Sequence, residues 1–117
     1  MAKSAVTIYH NPRCSKSRAG LALLREKGVE PEVIEYLETP PSKETLRAIV
    51  KKLGIAPHAL VRTGEELYKR KFKGRALSDE QWLDALAENP ILIERPIVVK
   101  GARAAVGRPP EKILEVL

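Results

Sequence analysis

The chain has 117 residues, 44% of them hydrophobic and 31% charged, the balance of one domain that buries a core without disulfide or metal staples. A single cysteine excludes an internal disulfide, and with only two histidines beside it leaves too few ligands for a structural zinc site. The formal charge of +6 favours anionic partners, but one Phe, one Trp and three Tyr make no stacking platform for single strands, so no nucleic-acid role is expected.

In chain order, the first residues carry one Lys and no apolar segment of a signal peptide. No later run approaches the ~20 apolar residues that cross a bilayer, so no membrane role is expected, and the unpaired thiol fits a reducing cytoplasm. Residues 6–9 form a short β-branched run that predicts a strand, ended by Pro12, which cannot donate to a ladder. From Ser15 onward Ala19, Leu21, Ala22, Leu23 and Leu24 mark the apolar stripe of a helix that Gly28 closes. Residues 33–37 read as a second strand, and strand, helix and strand joined by short loops make a βαβ unit with parallel strands.

Ser42 is a natural N-cap after the stiff loop at 39–42, and Leu46, Ile49, Val50 and Leu53 supply one helical face that ends at Gly54. Short helical pieces are predicted at 57–60 and 65–71. Ser78-Asp79-Glu80-Gln81 is a capping box, opening a helix with Trp82, Leu83 and Leu86 that Asn89-Pro90 stops. Residues 91–93 read as a buried turn of chain. Two apolar runs, 97–100 and 104–106, flank Gly101 as a β-hairpin, and 111–117 closes the chain as a helix with Ile113, Leu114 and Leu117 inward. The order is βαβ, a helical insertion at about 43–89, then ββα. That is the layout of an α/β chain with a thioredoxin-like fold and a mixed four-stranded sheet, in one domain over 1–117.

Cys14 stands where the first helix begins. A helix N-terminus presents unpaired N–H groups and about half a positive charge, which favours thiolate over thiol, and thiolate is the nucleophile. A lone cysteine is more often a small buried hydrophobe. A turn flanked by Arg13, Ser15, Lys16 and Arg18 is no place for a core residue, however, so Cys14 reads as reactive. His10 can support the thiolate as an imidazolium or as a hydrogen-bond donor, and Ser15 and Ser17 can offer hydroxyls to sulfur or to a bound oxyanion. Cys14-Ser15-Lys16-Ser17 keeps the spacing of a redox Cys-x-x-Cys with serine at the second thiol. Any redox turnover therefore needs an external thiol.

The stretch Tyr9-His10-Asn11-Pro12-Arg13-Cys14-Ser15-Lys16-Ser17-Arg18, with Glu94-Arg95-Pro96-Ile97-Val98-Val99 and Gly107-Arg108-Pro109, resembles the glutaredoxin-coupled arsenate reductase family (ArsC-like). The likeness takes in Tyr36-Leu37-Glu38-Thr39-Pro40-Pro41-Ser42 and Leu60-Val61-Arg62, and so nearly the whole chain. It implies that Cys14 attacks arsenate, that His10 and Ser17 tune its thiolate, and that Arg62, Arg95 and Arg108 hold the oxyanion. It also implies a cis bond before Pro96, beside the active cysteine. Guanidinium forks match a tetrahedral oxyanion in a bidentate way that Lys cannot.

The resemblance further implies a role in arsenic resistance and a sequence of steps. Cys14 displaces an oxygen from arsenic to give a thioarsenate adduct, glutathione attacks the arsenic, glutaredoxin reduces the mixed species, and arsenite leaves. Glutathione is then a co-substrate and glutaredoxin a partner, with no bound cofactor and no metal. The chain ends at Leu117, where the best-characterised members carry a C-terminal extension. Two other readings keep the fold: a thiol oxidoreductase acting on another substrate, such as a glutathione mixed disulfide, or an Spx-like regulator that binds RNA polymerase. Ser17 in place of a second cysteine counts against the regulator's disulfide switch, and the arginine set favours an anion site.

Overall fold

The computed structural model describes residues 5–117. These divide into two units: one takes the chain up to Thr39 and returns as Arg95–Leu117, and the other is Pro40–Glu94. The first unit is built on four strands, β1 (Val6–His10), β2 (Glu32–Glu35), β3 (Ile97–Lys100) and β4 (Arg103–Val106), in the order β2-β1-β3-β4. Strand β1 lies parallel to β2, with His10 opposite Glu35, and antiparallel to β3. A parallel pair needs a crossover, and helix α1 (Ser15–Glu26) provides it. Gly101, at φ +59, turns β3 into the antiparallel β4. With a 3-10 helix at Pro110–Val116 after β4, the βαβ, helical insertion and ββα order is the thioredoxin-like fold.

Strand β1 alternates buried Val6, Ile8 and His10 with half-buried Thr7 and Tyr9, the period of two that turns one face to a core. That core is Val6, Ile8, Leu24, Val98, Ala105, Ile113 and Val116. Each large aliphatic side chain buried there contributes roughly 1.5–3 kcal/mol.

One boundary and two buried faces differ from the pattern expected of the sequence. Strand β2 stops at Glu35, because the Glu35 carbonyl accepts from both Glu38 N–H and Thr39 N–H, each at 2.9 Å, and the chain turns before Leu37. In α1 the buried residues are Ser17, Gly20 and Leu24, with Ala19 and Ala22 exposed. The closing helix is 3-10, so its inward residues recur every three positions: Ile113 and Val116 are buried, Leu114 is exposed, and Leu117 packs partly on the core.

Two glycines seat the Pro96 ring. A Cβ on Gly20 would lie 3.1 Å from Pro96 Cγ; one on Gly107 would lie 2.8 Å from that atom and 3.1 Å from Ile113 Cγ2. A proline ring cannot swing aside as a flexible side chain does. Gly107→Ala is therefore expected to cost about 1–3 kcal/mol. Gly20→Ala is expected to cost less, because alanine returns close to 1 kcal/mol of helix propensity. Urea unfolding of the two variants checks the ranking, and an unchanged midpoint for Gly107→Ala would contradict it.

The second unit contains α2 (Lys43–Leu53), α3 (Glu66–Lys71) and α4 (Asp79–Glu88), with 3-10 turns at Pro57–Leu60 and Pro90–Leu92. Local chemistry sets the ends of its longer helices. Ser42 Oγ accepts from Thr45 N–H at 3.1 Å, Gly54 closes α2 at φ +69, and Ser78 with Gln81 forms the reciprocal capping box of α4. Helices α2 and α4 pack together, burying Leu46, Ile49 and Val50 on one and Trp82, Leu83 and Leu86 on the other. On their exposed side Lys43 reaches Asp84 (2.9 Å) and Glu80 (3.2 Å), and Arg47 reaches Glu80 (2.5 Å). Solvent screens such pairs, so the apolar face holds the helices together. Leu92 and Ile93 are buried as expected, but Ile91 is exposed, because a 3-10 turn sends successive side chains to different sides. No helix among the described residues is long and apolar enough to cross a membrane.

Candidate active site

The loop from β1 into α1 is tied down by its own side chains. Asn11 Oδ1 accepts from Arg13 N–H at 3.0 Å, a turn Asn favours, and the Asn11 carbonyl accepts from Cys14 N–H at 3.0 Å. The Arg18 guanidinium donates to the Pro12 carbonyl at 2.9 Å. Ser17, fully buried in the first turn of α1, accepts from Asn11 N–H at 2.9 Å. These bonds leave Cys14 as the N-cap of α1, with extended backbone (φ −96, ψ 124) and a partly exposed side chain.

The Cys14 thiol is pulled below its ordinary value of 9.0. Partial burial is the largest influence and opposes ionisation, but it is outweighed by the Ser17 N–H, the Arg95 charge, the Lys16 N–H and a hydrogen bond from the Arg95 side chain. The sulfur closes no full capping hydrogen bond, so its stabilisation comes from the helix-start dipoles and one guanidinium.

His10 is buried, and its Nδ1 lies 2.7 Å from Ser17 Oγ. Burial pushes its pKa below 6.5, helped by the Arg25 and Arg18 charges and opposed by Glu35 and Ser17. Burial disfavours the imidazolium form, and the ring is hydrogen-bonded to Ser17, whose hydroxyl it orients. The buried Ser17 hydroxyl likewise serves His10 and the loop, and Ser17 acts on Cys14 through its backbone N–H.

A pH effect on stability follows. Below pH 6.5 the unfolded chain takes up a proton at His10 that the folded protein resists, so stability falls as pH drops from 6.5 towards the lower native pKa. Above 6.5 this contribution is constant. His10→Gln should lose that slope; urea midpoints across the interval measure it, and an unchanged slope would remove His10 as its source.

Arg95 precedes Pro96 at the entry to β3, the strand beside β1, and the Arg95–Pro96 peptide bond is cis. This placement brings the Arg95 guanidinium to Cys14. Arg108 also precedes a cis proline, and its Nη1 donates to the Arg95 carbonyl at 3.3 Å. Gly107 N–H donates to the Pro96 carbonyl at 2.8 Å, linking the two loops. His10, Cys14, Ser17, Arg95, Pro96 and Arg108 thus share the first unit. Arg62 belongs to the second, where it pairs with Glu65 at 3.0 Å and donates to the Ile91 carbonyl at 3.3 Å. Asn11 and Gly107 stand in the motifs quoted above but were given no role of their own, and Gly20 was not singled out. The Asn-Pro dipeptide and the glycine inside the first helical pattern were the available signals for Asn11 and Gly20.

The profile of the ArsC family matches residues 9–116. YfgD of Escherichia coli K12, an uncharacterized protein, is 53% identical over 114 residues, 96% of each chain. An arsenate reductase of Neisseria meningitidis is 47% identical over 96% of this chain and 97% of its own. Among solved structures, an arsenate reductase from Vibrio cholerae matches with a TM-score of 0.94 and 52% identity, covering 99% of this chain and 100% of that one.

Proposed function

The chain belongs to the ArsC family, and on that premise we propose that it reduces arsenate to arsenite, with Cys14 as nucleophile and glutathione and glutaredoxin as reductants in a reducing cytoplasm. The observation that carries this reading is Cys14 itself, a partly exposed thiol held below its ordinary pKa at the start of α1 with the Arg95 guanidinium upon it.

The thiolate attacks arsenic, an S–As bond forms, and an As–O bond breaks, its oxygen leaving as water after protonation. Arsenic is still in its +5 state. Arg95, whose charge served the thiolate, then faces the oxygens of the adduct, and Arg108 hydrogen-bonds the Arg95 carbonyl beside it. A glutathione thiolate forms a second S–As bond and displaces a second water. A glutaredoxin thiolate next attacks the glutathione sulfur. The new S–S bond forms as the S–As electron pair passes to arsenic, which becomes +3. Hydrolysis of the remaining bond frees arsenite and regenerates Cys14. Both electrons come from outside thiols, as a chain with one cysteine requires.

For Arg62 the family likeness is the support, and an unchanged arsenate KM in Arg62→Ala would take it out of the set. The reading is tested by arsenate-dependent NADPH oxidation with glutathione reductase, glutathione and glutaredoxin present. Turnover that stops when glutathione or glutaredoxin is omitted is expected. Undiminished turnover without them would contradict the assigned reductants.

A further inference from the structure

Beside the Cys14 loop, in the first unit, lies a cleft of about 150 Å³ lined by His10, Asn11, Pro12, Arg13, Glu35, Leu37 and Glu38. One wall is the loop itself, ending one residue before Cys14; the other is the end of β2 and the turn after it. The lining mixes charges: Arg13 stands on one wall, Glu35 and Glu38 on the other, and Leu37 is an exposed apolar residue between them. None of these three charged side chains forms a salt bridge with another described residue.

We propose that this cleft binds the γ-glutamyl end of glutathione, the Arg13 guanidinium taking its α-carboxylate and Glu35 and Glu38 its α-ammonium. This assignment rests on the function proposed above and adds where the co-substrate sits. An α-amino acid head carries a cation and an anion on one carbon, and a site offering both opposite charges recognises it better than a simple anion or a neutral thiol. Size agrees with one end of the tripeptide. Pockets that enclose a whole drug-sized ligand start at roughly 300 Å³, so this cleft takes an amino-acid head and leaves the rest of the peptide outside it. Because the Arg13 wall runs directly into Cys14, a peptide anchored there has its cysteine sulfur a short span from the adduct it must attack. Holding two reactants this way is worth more than raising the concentration of a free thiol.

The test separates binding from turnover. S-methylglutathione, which cannot react, is titrated into the isotope-labelled protein, and backbone amide shifts of residues 11–13 and 35–38 are expected to move together. Glu38→Lys and Arg13→Ala should each weaken this binding by about five- to tenfold. In turnover they should raise the glutathione KM by a similar factor without changing the arsenate KM. N-acetylglutathione, which lacks the ammonium, should bind the native protein weakly and be insensitive to Glu38→Lys. Shifts confined to another surface would overturn the proposal while leaving arsenate reduction untouched. Variants that raise the glutaredoxin KM alone would overturn it in favour of a protein-docking face. Absence of arsenate turnover with the expected shifts intact would sink the functional reading and not the binding site.

Discussion

Replacing Cys14 with Ser is expected to lower arsenate turnover by at least about three orders of magnitude while leaving the fold intact. The two halves of that expectation come from different physics. A serine hydroxyl is un-ionised at neutral pH, and among the described residues no side-chain base is hydrogen-bonded to this position: the nearby imidazole of His10 bonds Ser17. Its oxygen would also make a poor leaving group when arsenite departs. Stability should not suffer, because Cys14 is an N-cap whose sulfur closes no capping bond, and Ser is among the preferred residues there. An inactive variant with an unchanged urea midpoint is the expected pair of results. Turnover within tenfold of native would exclude Cys14 as the nucleophile.

The second large effect is expected at Arg95. Arg95→Ala removes a charge and a hydrogen bond that, with the Ser17 and Lys16 N–H groups, offset the burial of the Cys14 thiol, so the thiol pKa should rise. The pH dependence of iodoacetamide alkylation reads this directly, with the variant's curve displaced to higher pH. The same substitution withdraws a donor from the oxyanion, and kcat/KM for arsenate should fall about 10²–10³-fold even at a pH where the thiol is ionised in both proteins. Arg95→Lys retains charge without the planar fork and should restore the alkylation profile more fully than turnover. If Arg95→Ala left the alkylation curve in place, the guanidinium would not be what holds the thiolate.

Much of the scaffold could be read from local chemistry. The Ser42 cap, the Ser78–Gln81 box, the left-handed Gly54 and the alternation of β1 each depend on residues a few positions apart. The differences arose where tertiary partners or an unusual helix type decide. Gly20 rather than Ala19 or Ala22 faces inward because the Pro96 ring, far along the chain, occupies the space above it. Leu114 turns outward because the last segment winds with three residues per turn. In the site, Cys14 at a helix start was legible because strand, proline and polar turn lie next to it in sequence. The pairing of Ser17 with His10 was not, since nothing in the spacing tells whether a first-turn hydroxyl points to the sulfur or back to the strand. Nor could the sequence alone show that Arg108 reaches the main chain of Arg95.

One thiol, its ionisation favoured by Arg95 and a helix start, is expected to pass arsenic from the +5 to the +3 state with electrons borrowed from outside. Arsenic speciation during the coupled reaction tests it most directly, by measuring arsenite formed against NADPH consumed. Arsenite is expected to appear in step with NADPH oxidation in the native protein, and neither in Cys14→Ser. NADPH oxidation without arsenite, or arsenite from the Cys14→Ser protein, would contradict it.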